Sequence, residues 1–480
     1  MQGNPLIQII STFTTKEMTR YVEFACSPYF NKHKDTIRLI RLLAKLFPDL
    51  SEKRCDRYRL FKKLFPQKPH HQANLSLLFT YAFRLLEKFL LTEQMEGEAF
   101  DRQLHLLEQY RARGFYQLYE KRLTKAKALN AQIQQKDTDY YLHQFLVASE
   151  LNKYNGKLSK HEKDQSIQEK QDNLDHFYLS EKLKDACEVT LRQRILRSQY
   201  EIGMLDTAIA EVQDNANKYA QNPSIQVYRT IYEMLTLRTA PYYFKALQTA
   251  QLFENQLPKG DWQNVYNYLQ NYCIEQINAG ESDFLYQLFD IYKVQIEQEL
   301  IFDGNYLLQW HYKNIITVGL RLKEFEWVYQ FIEDYKVRIK EANQNNAYTY
   351  NLAAYYYETQ QLQEVLGLLL QVEYTDPRYY LGAKAILLKT YFDLEEFEAL
   401  ASLHDAFRQY LSRSKSISES RKGGYLNLFR LTKRLLQIKE NRAFQSIGKY
   451  QDDLGKLMQE INSGIAIFNK DWLIEKAQTT

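Results

Sequence analysis

The chain has 480 residues, of which 45% are hydrophobic and 25% charged, with a formal net charge of +4. That balance is the composition of a folded chain, and so small a charge does not by itself call for nucleic acid. Sixteen glycines and nine prolines each fall below half the usual shares of about 7% and 5%, which favours long helices joined by short connections. No stretch sustains the apolar/polar alternation of a half-buried sheet, so the fold class is read as all-α.

In chain order, the start Met1-Gln2-Gly3-Asn4-Pro5 lacks a basic leader, and Leu6 to Ile10 is too short for a signal core. Thr15-Lys16-Glu17-Met18 opens a helix through Phe24 that Ser27-Pro28 closes. A second helix, Asp35 to Phe47, aligns Ile37, Ile40 and Leu43 and stops at Pro48. A third spans Glu52 to Phe65 and stops at Pro66. An apolar helix from Asn74 to Leu91 follows, then helices near Gly97–Arg113, Phe115–Lys136 and Asp139–Tyr154. Residues 1–155 therefore form an N-terminal helical domain. Residues 156–172, charged and poor in apolar side chains, are the expected connection.

From Leu174 onward a helix-hairpin pattern sets in, clearest at Asn346 to Phe407. Leu352, Ala353 and Tyr356 mark one helix; Leu362, Val365, Leu369 and Val372 mark the next, which Asp376-Pro377 ends. About 35 residues later Leu387, Leu388 and Tyr391 precede Phe397, Leu400 and Phe407. Weaker units are marked by Leu205, Ala208 and Val212, by Tyr243, Ala246 and Ala250, and by Ile315, Ile316 and Val328. Arg413 to Gly424, rich in Ser, Lys and Gly, reads as a mobile insertion.

A period near 34 residues is that of a tetratricopeptide-type repeat, and residues 173–480 resemble a degenerate array of this family. Ala353, Leu388, Val365 and Leu400 depart from its small-residue positions. The resemblance implies an α-solenoid whose helix pairs stack to complete a continuous core and leave a concave face. It implies further that the first helix of each pair lines that face. Carried onto this sequence, the lining comprises Trp310, Lys313, Thr317 and Arg321, then Tyr350, Ala354 and Tyr357, then Lys389, then Lys433. Aromatic walls with a row of cations suit an extended peptide bearing acidic side chains or a free carboxylate. The expected site residues are thus Trp310, Lys313, Arg321, Tyr350, Tyr357, Lys389 and Lys433. Asn314 and Asn351 do not occupy the family's carboxylate-clamp positions, so a chaperone-tail clamp is not expected.

The remaining chemistry is sparse. Cys26, Cys55, Cys187 and Cys273 show no metal or disulfide spacing and read as small buried hydrophobes. His70-His71 reads as a solvated loop pair, and no phosphate loop, nucleophile elbow or H-E-x-x-H occurs. Neither a catalytic site, a metal nor a cofactor is expected. Most of the 38 tyrosines read as packing between helices. The leading expectation is a non-enzymatic, cytoplasmic scaffold that binds a protein or peptide and spans no membrane. The alternatives are nucleic-acid binding through the basic stretch Phe407 to Tyr450, aided by Lys53 to Lys68, and a ligand-responsive regulator.

Overall fold

The computed structural model describes residues 3–67, 72–158, 164–196, 199–370, 376–414 and 417–480. Its helices and one two-residue hairpin make the protein all-α. His70, His71, His161, Lys68, Val372 and Lys415 lie outside the described residues.

The chain divides into two compact units. The first comprises residues 1–185 and 202–226, the second 186–201 and 227–480. The 156–172 stretch, expected to be a connection, lies within the first unit.

The first unit begins with α1 (Pro5–Ile10), α2 (Thr15–Cys26), α3 (Lys34–Leu46), α4 (Arg57–Leu64) and α5 (Gln72–Gly97). Thr14 caps α2: its hydroxyl accepts from the Glu17 N–H, and the Glu17 carboxylate accepts from the Thr14 N–H. This reciprocal box fixes the start that the Thr-Lys-Glu-Met stretch suggested. Tyr21, fully buried, donates its hydroxyl to the Ala82 carbonyl at 2.7 Å, tying α2 to α5 within one apolar core. Helix α4 begins at Arg57, not Glu52, because Asp56 caps it by accepting from the Arg59 N–H.

A second core joins α6 (Ala99–Arg113), α7 (Tyr116–Ala131) and α8 (Thr138–Lys157). Helix α9 (Ser166–Leu196) contains the division between the units, and α10 (Leu205–Asp214) and α11 (Ala216–Tyr219) return to the first. Helix α12 (Pro223–Leu237) leads into the second unit.

The second unit continues with α13 (Ala240–Leu252), α14 (Lys259–Asn278), α15 (Phe284–Glu297), the strand pair β1 (Phe302–Asp303) and β2 (Tyr306–Leu307), and α16 (Gln309–Arg321). Then come α17 (Phe325–Tyr335), α18 (Glu341–Glu358), α19 (Leu362–Leu369), α20 (Pro377–Asp393), α21 (Phe397–Arg413), α22 (Glu419–Asn441), α23 (Ile447–Ile461) and α24 (Lys470–Thr479). From α16 to α23 each helix packs on the next, and alternate helices also touch, α16 on α18, α18 on α20 and α20 on α22. These alternate helices run in the same direction. The Tyr379 hydroxyl in the first turn of α20 reaches the Gln309 carbonyl that opens α16. At the opposite end, the Tyr357 hydroxyl in α18 reaches Asp393 at the end of α20.

Of the expected insertion Arg413 to Gly424, Arg413 ends α21 and Glu419 to Gly424 open α22, while Lys415 and Ser416 lie outside the described residues. Composition misled here because Gly424 is buried in α22, where a Cβ would stand 2.8 Å from the Phe468 ring. Its missing side chain serves a close approach rather than chain freedom. Among the described residues no helix is long and apolar enough to cross a membrane.

Candidate functional site

Five of the seven expected site residues gather on the α16–α18–α20 side of the second unit, at two levels. The first level lies at the N-terminal turns of α16 and α20. Trp310 stacks on Tyr379 with ring centroids 5.2 Å apart and planes 17° apart, and the Arg378 guanidinium lies 3.6 Å from the Trp310 ring centroid. The Lys313 ammonium sits 4.7 Å from the centroid of Tyr350 and 5.9 Å from that of Tyr379. Tyr350 and Tyr379 meet edge to face. Gly382 lets this happen, since a Cβ there would stand 2.7 Å from the Tyr350 ring. Trp310, Lys313 and Tyr350 are half-buried, so the level remains open to a ligand.

The charges at this level are unbalanced. Asp376 caps α20 by accepting from the Arg378 N–H at 2.8 Å and is also paired with the Arg378 guanidinium. Although burial raises it, these contacts hold its carboxyl below the ordinary carboxylate range. Glu419 is paired with Lys422 at 2.8 Å. That leaves Lys313 and Arg421 without an ion-pair partner among the described residues. Burial lowers the Lys313 pKa first, and the positive charges of Arg421 and Arg378 lower it further. The N-terminal turns of α16, α20 and α22 add partial positive charge on the same side. The chemistry on offer is reception of an anion between aromatic walls.

The second level, toward the C-terminal turns, is closed. Tyr357 and Lys389 are both buried, at 4% and 9% exposure. The Lys389 ammonium lies 4.0 Å from the centroid of Tyr357 and 5.9 Å from that of Trp472, with Glu358 at 3.8 Å. Burial lowers its pKa, against the opposing pull of Glu358 and Asp393. The Trp472 indole N–H donates to the Tyr357 hydroxyl at 2.8 Å, and that hydroxyl donates to Asp393 at 2.6 Å. Lys476 completes the chain with an ion pair to Asp393 at 2.7 Å. This level is covered by Trp472 and Lys476 of α24.

The other expected residues stand apart. Arg321 is exposed at the end of α16, and Thr317 returns its hydroxyl to the Lys313 carbonyl. Lys433 has its acidic neighbour in Asp405 of α21, whose carboxyl it helps to lower after the hydrogen bond from His404. Among the described residues, no ring contact or ion pair joins Arg321 or Lys433 to either level.

Sequence reasoning missed Arg378, Tyr379, Arg421, Tyr425, Phe468 and Trp472. Arg378 and Tyr379 follow Pro377 in the first turn of α20, and a proline at N1 was the signal that could have moved the register one turn earlier. The two C-terminal aromatics lie beyond the last repeat, where no local period marks them.

No family model matches the chain. Neither a curated protein nor a solved structure matches it either.

The basic stretch Phe407 to Tyr450 is neutralised in part. Arg430 and Arg434 both pair with Glu460, at 2.7 and 2.5 Å, and Lys439 pairs with Glu395 at 2.7 Å. A surface hollow of about 270 Å³ between α15 and α17, lined by Lys293, Trp327 and Phe331 among others, contains none of the expected residues. All four cysteines are free, and Cys55, Cys187 and Cys273 are buried.

Proposed function

We propose that the second unit is a tetratricopeptide-like stack of helix pairs whose groove binds an extended peptide through an acidic group. The protein acts as a non-enzymatic interaction scaffold. The neighbour order of α16 to α23, each helix on the next and alternate helices on one another, supports the repeat reading. One observation carries the ligand class: among the described residues Lys313, which lies over the Tyr350 and Tyr379 rings, and Arg421, whose charge acts on Lys313, have no ion-pair partner. A carboxylate entering there replaces water around the partly desolvated Lys313 and the exposed Arg421 with charge-assisted hydrogen bonds. Its neighbouring side chains find flat aromatic surfaces on which to rest.

The test is selection of random twelve-residue peptides on the full chain, followed by Kd measurement for the enriched sequences. Acidic peptides are expected, with affinity falling at least tenfold in Lys313→Glu/Arg421→Glu and little changed in Arg430→Glu, which is outside the groove. Enrichment of peptides without acidic residues, or affinity indifferent to both charge reversals, overturns the reading. Nucleic-acid binding is the weaker reading, because three of the cations that suggested it, Arg430, Arg434 and Lys439, are paired with Glu460 and Glu395.

A further inference from the structure

The segment that closes the second level does so in the manner of a bound peptide. After α23 the chain extends, and the Asn427 side-chain amide of α22 donates to the Ala466 carbonyl at 3.0 Å. The Phe468 N–H donates to the Gly424 carbonyl at 3.3 Å. The Phe468 ring stacks on Tyr425 with centroids 4.3 Å apart, in the space that Gly424 leaves open. Asn469, in the left-handed region at φ 51°, then turns the chain into α24. Four residues beyond Phe468, Trp472 reaches Tyr357 and meets Phe392 edge to face, and Lys476 ends the path on Asp393.

A side-chain amide on a backbone carbonyl, two aromatic anchors and a terminal ion pair are the contacts by which grooves hold peptides in trans. The segment is also lightly rooted. Helix α24 fully buries only Leu473 and Ala477, with Ile465, Ile467, Trp472 and Ile474 partly buried against the same core, whereas α22 fully buries Leu428, Phe429, Leu431, Leu435, Leu436 and Ile438. Segments with so few buried apolar contacts open locally while the rest of the fold stays closed.

We infer that residues 464–480 are a resident, releasable occupant of the groove, so that a partner peptide reaches Tyr357 and Lys389 only when this segment lets go. The first level, with Lys313 and Arg421, stays open for initial capture; the second is gated by the chain's own tail. The gate rests on the proposed peptide-binding role for its competitor, but not for its own geometry.

A labelled synthetic peptide with the sequence of residues 463–480 provides the probe, offered in trans to the full-length chain. It is expected to bind the Phe468→Ala/Trp472→Ala chain at least tenfold more tightly than the unsubstituted one. The same peptide with both aromatics replaced by alanine should bind neither. Equal binding to both chains, or none to the double variant, overturns the gate. Amide hydrogen exchange on the unsubstituted chain needs no variant that folds. Residues 465–479 should exchange at least tenfold faster than the α22 amides, and exchange of the two as a single unit overturns the inference. If the tail peptide binds while selected acidic peptides do not, the gate stands and the peptide-scaffold reading fails.

Discussion

Trp472 and Tyr357, 115 residues apart in sequence, are joined by an indole N–H donated to a phenol oxygen at 2.8 Å. The phenol is itself committed to Asp393, so the bond is the middle link of a chain rather than a lone surface contact. Trp472→Phe keeps the ring against Phe392 and Lys389 but removes the donor. Its expected cost is about 0.5–1.5 kcal/mol, the net worth of one hydrogen bond. Trp472→Ala also removes the packing of a half-buried ring, and about 2–3 kcal/mol is expected. Urea unfolding of the two variants checks the ordering; equal losses would mean the ring contributes nothing.

In the first unit Glu150 is 2% exposed and receives the Arg111 guanidinium in a two-pronged pair, at 2.5 and 3.2 Å. Arg111 gains from the bond, which raises its pKa despite partial burial. Arg111→Met strands a buried carboxylate. Lys153 at 3.8 Å offsets part of that, so the expected loss is about 2–4 kcal/mol, at or below the usual range for a broken buried pair. Arg111→Met/Glu150→Leu should recover most of it, because the cost arises from the orphaned charge. Denaturant midpoints of the single and double variants decide this, and a double variant no more stable than the single one counts against it.

His176 lies flat on Tyr141, with centroids 4.6 Å apart, and its Nδ1 is 3.1 Å from the Asn222 amide nitrogen. Burial lowers its pKa from 6.5; Lys218 lowers it further, against Asp172 and Asp175. His311, buried in the second unit, is lowered by burial as well. The sign follows from linkage. Above pH 6.5 the imidazole is neutral in both folded and unfolded chains, and this contribution to stability is complete. As the pH falls below 6.5 the unfolded chain takes up a proton that the folded one resists, so stability drops until the lower folded pKa is passed. The melting temperature should therefore fall between pH 7.5 and 5.5, and His176→Gln should make that fall smaller. An unchanged pH profile in the variant would remove His176 as a cause.

The helical class was legible because it is written into composition and apolar spacing, which survive drift in any one position. Leu352, Leu388 and Leu400 are all buried where the hairpin pattern placed them. The groove was legible only in part. Trp310, Lys313, Tyr350 and Tyr379 share a surface because alternate helices run parallel, and the repeat spacing carries that information for the first three. Lys433 went wrong because one position along a helix turns a side chain by about 100°, which is enough to point it toward Asp405. The closing of the second level was invisible for a different reason. It is a contact between residues 357 and 472, which no local period encodes.

Parallel alignment of α16, α20 and α22 has an effect that reaches beyond contact distance. Their like-signed ends stand together beside Lys313 and Arg421, and the nearby carboxylates Asp376 and Glu419 are already neutralised by Arg378 and Lys422. The potential at that mouth is positive over roughly a Debye length, ~8 Å at physiological salt. On the proposed peptide-binding reading, an acidic chain diffusing past would be turned toward the mouth before any atom touches. On that same reading the speed of encounter would be set at one end of the stack, and the time a partner stays at the other, where Trp472 must first give way.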